Sequence, residues 1–123
     1  MNLERRLEDI RAALKQIDWF STDEQVDYDL DGSSGTLFIR GKISLFNDTI
    51  LEFTESISPG WLRYRYQYMR KDGSLIFRYD NVPHHPNMAT FPHHKHYSDR
   101  VIENEPADLR RVIEEIIELF AAS

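Results

Sequence analysis

From Gln25 to Asp80 the chain is written with a period of two, in pieces cut apart by turn residues. Successive side chains of an extended strand point to opposite faces, so this alternation marks strands with one buried face. Val26, Tyr28 and Leu30 alternate with Gln25, Asp27 and Asp29. Thr36 to Phe46 carries Leu37, Ile39, Ile43 and Leu45, with Gly41 as a bulge or crossing point. Thr49 to Ile57 sets Leu51 and Phe53 against Glu52, Thr54 and Ser56. The breaks are the loop Asp31 to Gly35, the Asn47-Asp48 turn and Ser58-Pro59-Gly60. Connections this short pair strands antiparallel, because a parallel pair needs a crossover of about a dozen residues or more. The pattern excludes an all-helical fold and a doubly wound parallel sheet.

The clearest hairpin runs from Trp61 to Met69 and from Ser74 to Asp80, with Asp72-Gly73 as a two-residue turn. That turn sets Tyr66 opposite Tyr79 and Tyr68 opposite Phe77, an aromatic face. It sets Arg65 opposite Asp80 and Gln67 opposite Arg78, a polar face. Alternation places the tyrosines in the core and the arginines outside it. Asn81 to Ser98, with Pro83, Pro86 and Pro92, reads as irregular. Val101-Ile102 is a short strand or lead-in. Amphipathic helices bracket the chain. Leu3, Leu7, Ile10, Leu14 and Ile17 share one face of a helix over residues 2–17. Leu109, Val112, Ile113, Ile116, Ile117 and Phe120 do so in a second, with Pro106 in its first turn and Asn104 or Glu105 near its cap. Ser21-Thr22-Asp23 reads as a turn. The expected fold is α+β: one domain over residues 1–123, an antiparallel sheet of about five strands with the N-terminal and C-terminal helices packed on one face.

The absence of cysteine removes disulfides, thiolate nucleophiles and cysteine-based zinc sites. No apolar run approaches the roughly 18 residues of a membrane span, so no membrane partner is expected. The first residues lack an apolar core and a cleavage site for a signal peptide. A cytoplasmic location is expected. The net charge of −6 is unevenly spread: between Trp61 and Arg100 seven basic residues meet three acidic ones. A basic patch on an acidic body is the footprint of an anionic ligand.

That same segment holds all five histidines, His84, His85, His93, His94 and His96. Imidazole is the side chain best placed to move protons near neutral pH. Cleaving RNA without metal requires a group that takes the 2′-hydroxyl proton, one that protonates the leaving oxygen, and a cation on the phosphate. His84, His94 and His96 suit proton transfer, Arg78 and Lys95 the phosphate, and Asp80 the orientation of Arg65 or a histidine. Arg63, Arg65 and Lys95 are candidate nucleic-acid contacts. No cofactor is required by this scheme. The competing reading is zinc or another divalent metal held by His84, His94 and His96, of which His94-Lys95-His96 is an H-x-H pair. The plainest alternative is that the histidines cap loop carbonyls and pack against prolines.

The run YRYQYMRKDGSLIFRYDNVPHH, followed by TFPHHKH and a glutamate-rich last helix, resembles the TumE-type family of toxins from toxin–antitoxin modules. The shared elements here are Arg78, Tyr79, Asp80, Asn81, Pro83, His84, His85, Pro86, Phe91, Pro92, His93, His94, Lys95 and His96. The resemblance implies a cognate antitoxin protein as partner. It carries no catalytic assignment. The expected function is therefore a toxin-like, metal-independent ribonuclease acting on RNA through the histidine-rich loop. The alternative is a non-enzymatic metal- or partner-binding module, with the histidines as ligands or loop structure. An apolar helix face not used on the sheet would serve a homodimer.

Overall fold

The computed structural model describes residues 2–83 and 88–122. In chain order these form α1 (Leu3–Lys15), a short 3-10 turn (Asp18–Phe20), β1 (Ser21–Asp31), β2 (Thr36–Leu45), β3 (Thr49–Ser58), β4 (Trp61–Arg70), β5 (Leu75–Asp80), β6 (His94–His96), β7 (Val101–Glu103) and α2 (Leu109–Ala122). The architecture is α+β. The seven strands form one antiparallel meander in chain order, and every connection except that between β5 and β6 is too short to skip a neighbour.

The count of strands corrects the expected five. β6 and β7 each have only three residues, too few to display an alternation, and prolines precede β6. They form because β5 offers them a free edge: His94 pairs with Asp80, Lys95 with Tyr79 and His96 with Arg78. Two other boundaries also move. Ser21 to Asp23 begin β1 rather than turning, and α2 starts at Leu109, with the Asp108 carboxylate accepting from the Arg111 amide at 2.9 Å. That side chain is the N-cap, so Pro106 lies before the helix.

The hairpin register matches its expectation at every named pair: Arg65 with Asp80, Tyr66 with Tyr79, Gln67 with Arg78, Tyr68 with Phe77. A bulge at Tyr68/Met69 then lengthens the connection to residues 71–74, with Gly73 at φ 91°. A side chain at that dihedral would be strained, which is why glycine stands there.

Both helices lie on one face of the sheet. Leu7, Ile10, Ala13 and Leu14 of α1 and Leu109, Val112, Ile113 and Ile116 of α2 share one core with Ile39, Ile43, Leu51, Phe53, Tyr64, Tyr66, Tyr68, Phe77 and Tyr79. Gly41 faces this core because the Phe53 ring lies over it, where a Cβ would collide. The buried tyrosines keep their hydroxyls satisfied, as burial demands. Tyr66 donates to Glu55 at 2.6 Å, Tyr68 to Thr49 at 2.9 Å and Tyr79 to Glu115 at 3.0 Å. Glu55, fully buried, is also held by Arg6 of α1 at 2.7 Å. Among the described residues the other face of the sheet carries no helix, and it presents the mostly polar half of the strands. No helix among the described residues is long and apolar enough to cross a membrane.

Candidate active site

Register decides what meets on the open face. Arg65, Asp80, His94 and Glu103 stand side by side across β4 to β7, and Gln67, Arg78 and His96 form the next row. Residues directly opposite on neighbouring antiparallel strands share a face. His94 and His96, two apart on β6, therefore both reach the side on which Asp80 and Arg78 project.

Asp80 is the hub. Its Oδ1 accepts from the Val82 amide at 3.1 Å and lies 2.6 Å from His94 Nε2. Its Oδ2 lies 3.1 Å from Arg78 Nε and 3.2 Å from His96 Nε2. The two imidazoles stand edge to face with centroids 4.6 Å apart. Access is graded: the Asp80 and His94 side chains are about 4% and 3% exposed, His96 14% and Arg78 25%. Arg78 and His96 are thus the members that can touch a substrate, and Asp80 and His94 stand behind them.

The hydrogen bonds of His94 carry chemical information. Its Nδ1 lies 2.9 Å from the Pro92 carbonyl oxygen, and its Nε2 faces the Asp80 carboxylate. Both neighbours are acceptors. The cluster thus sets two imidazoles and a guanidinium around one carboxylate.

The backbone beneath is pinned. Asn81, buried, donates from Nδ2 to the Leu62 carbonyl at 2.6 Å and accepts from the Tyr64 amide at 2.8 Å. This locks the end of β5 to β4 and so fixes Asp80. Thr90 donates to the His93 carbonyl at 2.7 Å and accepts from the Asn104 amide at 3.1 Å, which anchors the approach to β6 on the chain beyond β7. His93 packs on Tyr64, its Nδ1 2.7 Å from the phenol oxygen; burial lowers its pKa. Neither Asn81 nor Thr90 is legible as a positioning residue from pattern, because each acts through backbone partners distant in sequence.

Of the residues singled out in the sequence, Arg78, Asp80, His94 and His96 come together. Arg65 and Arg63 lie exposed on the same face, and the Arg65 guanidinium donates to Gln67 Oε1 at 2.8 Å rather than to Asp80. Lys95 is not brought to the cluster. Alternation turns it to the helix side, where its ammonium meets Glu115 at 2.5 Å and lies over the rings of Phe77, Tyr79 and Tyr97. Burial alone would lower its pKa, but hydrogen bonds to Glu115, Tyr79 and Tyr97 and the Glu115 charge outweigh this and raise it. His84 lies outside the described residues.

The family model of toxin TumE matches residues 8–122, nearly the whole chain. The chain belongs to the toxin TumE family. Nothing matches among curated proteins or solved structures. Membership makes this a toxin-like protein of a toxin–antitoxin system and implies an antitoxin partner. The matched span includes the Asp80 cluster, α2 and α1 from its sixth residue on.

Proposed function

We propose that this TumE-family toxin arrests growth by cleaving RNA at the Arg78–Asp80–His94–His96 cluster, without a metal. The observation that supports this reading is the convergence of two imidazoles and a guanidinium on one carboxylate, with Arg78 and His96 as its partly exposed members. In the reaction the 2′-hydroxyl oxygen bonds to the adjacent phosphorus while the bond from phosphorus to the 5′-oxygen breaks. The 2′-hydroxyl proton passes to His96 in its neutral form, and a second carrier protonates the 5′-oxygen. His84 is the sequence's candidate for that carrier. Arg78 balances the charge that builds on the phosphoryl oxygens. Asp80 orients His96 and Arg78, and His94 is a positioning residue that holds Asp80.

Expression from a tightly repressed promoter tests this. Wild type should arrest growth with loss of RNA integrity, and His94→Ala/His96→Ala should do neither while keeping its circular dichroism. Removing His96 alone should lower cleavage by a factor on the order of 10²–10⁴, the usual contribution of one acid–base group. Arrest that persists in a folded double variant sinks the reading.

One observation favours a second reading, a metal- or partner-binding module. Ligand atoms of Asp80, His94 and His96 all lie within 4.8 Å of one another. The Pro92 carbonyl holds His94 Nδ1 in the way second partners hold metal-bound histidines. A divalent cation would replace the proton between His94 and Asp80, and Asp80 takes the place expected of His84. Stoichiometric metal in the purified protein, and a thermal midpoint that falls with chelator, would select this reading.

A further inference from the structure

The open face does more than display the cluster. Next to the row Arg40, Thr54, Arg65, Asp80 lies a second row, Phe38, Ser56, Arg63, and beyond it stand Ser58 and Trp61. Phe38 is 42% exposed and Trp61 50%, and both project on the side away from the helices. Between them come only serines, which leave the ring faces uncovered by tall neighbours. Arg40, Arg63 and Arg65 are exposed around them. A concavity of about 430 Å³ continues the surface past Arg40, Lys42, Thr54, Arg65 and Gln67. The acids on this face are Asp80 in the cluster, Glu103 beyond His94, Glu52 between Lys42 and Gln67, and Asp23, Asp27, Asp29 and Asp31 on the outer strand; Asp27 lies 3.8 Å from Arg40.

We infer that this face is a track for single-stranded RNA, with Trp61 and Phe38 stacking bases and Arg63, Arg65 and Arg40 holding phosphates on the way to Arg78 and His96. The inference rests on the RNA-cleavage reading and names how its substrate is held. Arg63 and Arg65 lie on one strand face about 7 Å apart, and strands are about 4.8 Å apart, so the Arg63–Arg65–Asp80 path is a few ångströms per step. That is the scale on which phosphates follow one another along an extended strand. Aromatic faces read any base but need it unpaired, so the surface takes a single strand rather than a duplex. The tyrosines that alternate with these arginines in sequence cannot serve, because Tyr64, Tyr66 and Tyr68 are buried under the helices. The stacking residues come from the end of the track away from the cluster instead.

The probe is a fluorescein-labelled oligouridine with 2′-O-methyl sugars, which cannot be cleaved by 2′-hydroxyl attack. Binding is followed by anisotropy, and by Trp61 fluorescence in a Trp19→Phe background. Wild type should bind the single strand, prefer it over a duplex of the same length, and lose Trp61 emission. Arg63→Ala/Arg65→Ala should weaken binding and flatten the plot of log affinity against log salt by about 1.4, since each phosphate contact on a single strand contributes roughly 0.7. Trp61→Ala should weaken binding about tenfold and leave that slope unchanged. Equal binding by all these variants, or none by wild type, overturns the track. So does a result in which the arginine variant binds the probe normally but no longer associates with the antitoxin, which would give the face to the partner. The two readings fail separately. If Arg63→Ala/Arg65→Ala cleaves and binds RNA as wild type does, only the track is lost. If the track variants lose RNA while His96→Ala still arrests growth, only the cleavage chemistry is lost.

Discussion

Lys95 and its neighbours His94 and His96 show how one residue step divides two kinds of chemistry. The histidines enter a cluster with Asp80, and the lysine enters a buried ion pair with Glu115 of α2. Its aliphatic stem and ammonium are packed among three aromatic rings, so it acts as part of the core. Lys95→Met should destabilise the fold by about 1–3 kcal/mol, because Glu115 is left mostly buried without its cation. Lys95→Met/Glu115→Leu should recover most of that loss, since apolar groups of similar size replace a buried pair at little cost. Urea midpoints of the two variants decide it. A single variant as stable as wild type, with weakened RNA binding, would return Lys95 to the nucleic-acid contacts.

At the scale of elements, β4 and β5 bury a tyrosine layer whose protons are held tightly. Burial pushes the Tyr64 phenol from 10.0 up to about 12, and Tyr66 and Tyr79 are raised by burial as well. In the unfolded chain these phenols release their protons near pH 10, while the folded sheet keeps them. The unfolded state then binds fewer protons, so stability is full below pH 10 and falls as pH rises toward 12. Tyr64→Phe removes one of these contributions. Its urea midpoint should fall less steeply than wild type's on raising the pH through 10. In a Tyr28→Phe/Tyr97→Phe background, which leaves only the tyrosines of β4 and β5, phenolate absorbance appearing in the native protein near pH 10 would contradict the tight burial of this layer.

The whole molecule is a sheet with one face packed against the helices and one left open. Its far corner is clasped by four aromatic rings from three segments: Phe20 lies 4.1 Å from Phe120 between centroids, 4.5 Å from Phe46 and 5.2 Å from Trp19. This clasp joins the exit of α1, the turn after β2 and the end of α2. It lies on the helix side, away from the Asp80 cluster. Phe120→Ala should therefore lower stability by about 2 kcal/mol, at the lower end for a large-to-small change because the ring is only partly buried. Growth arrest at low temperature should survive it. Loss of arrest in a protein that stays folded would mean that the two faces are coupled.

Alternation and short turns determined the antiparallel sheet, the pairing of Arg65 with Asp80 and of Tyr66 with Tyr79, and the burial of the tyrosines, because each follows from a period read over several residues. The amphipathic ends determined the two helices for the same reason. Arg78, Asp80, His94 and His96 were legible as candidates, and the structure brings these four together. What only the tertiary structure decided is how they meet. Three-residue strands carry no readable period, so β6 and β7 exist only because β5 presents an unpaired edge. Once His94 pairs with Asp80, the strict two-residue repeat sends the histidines to the open face and Lys95 to the core. The register of β2, β3 and β4 leaves Phe38 and Trp61, far apart in sequence, exposed on the face that carries Arg63 and Arg65.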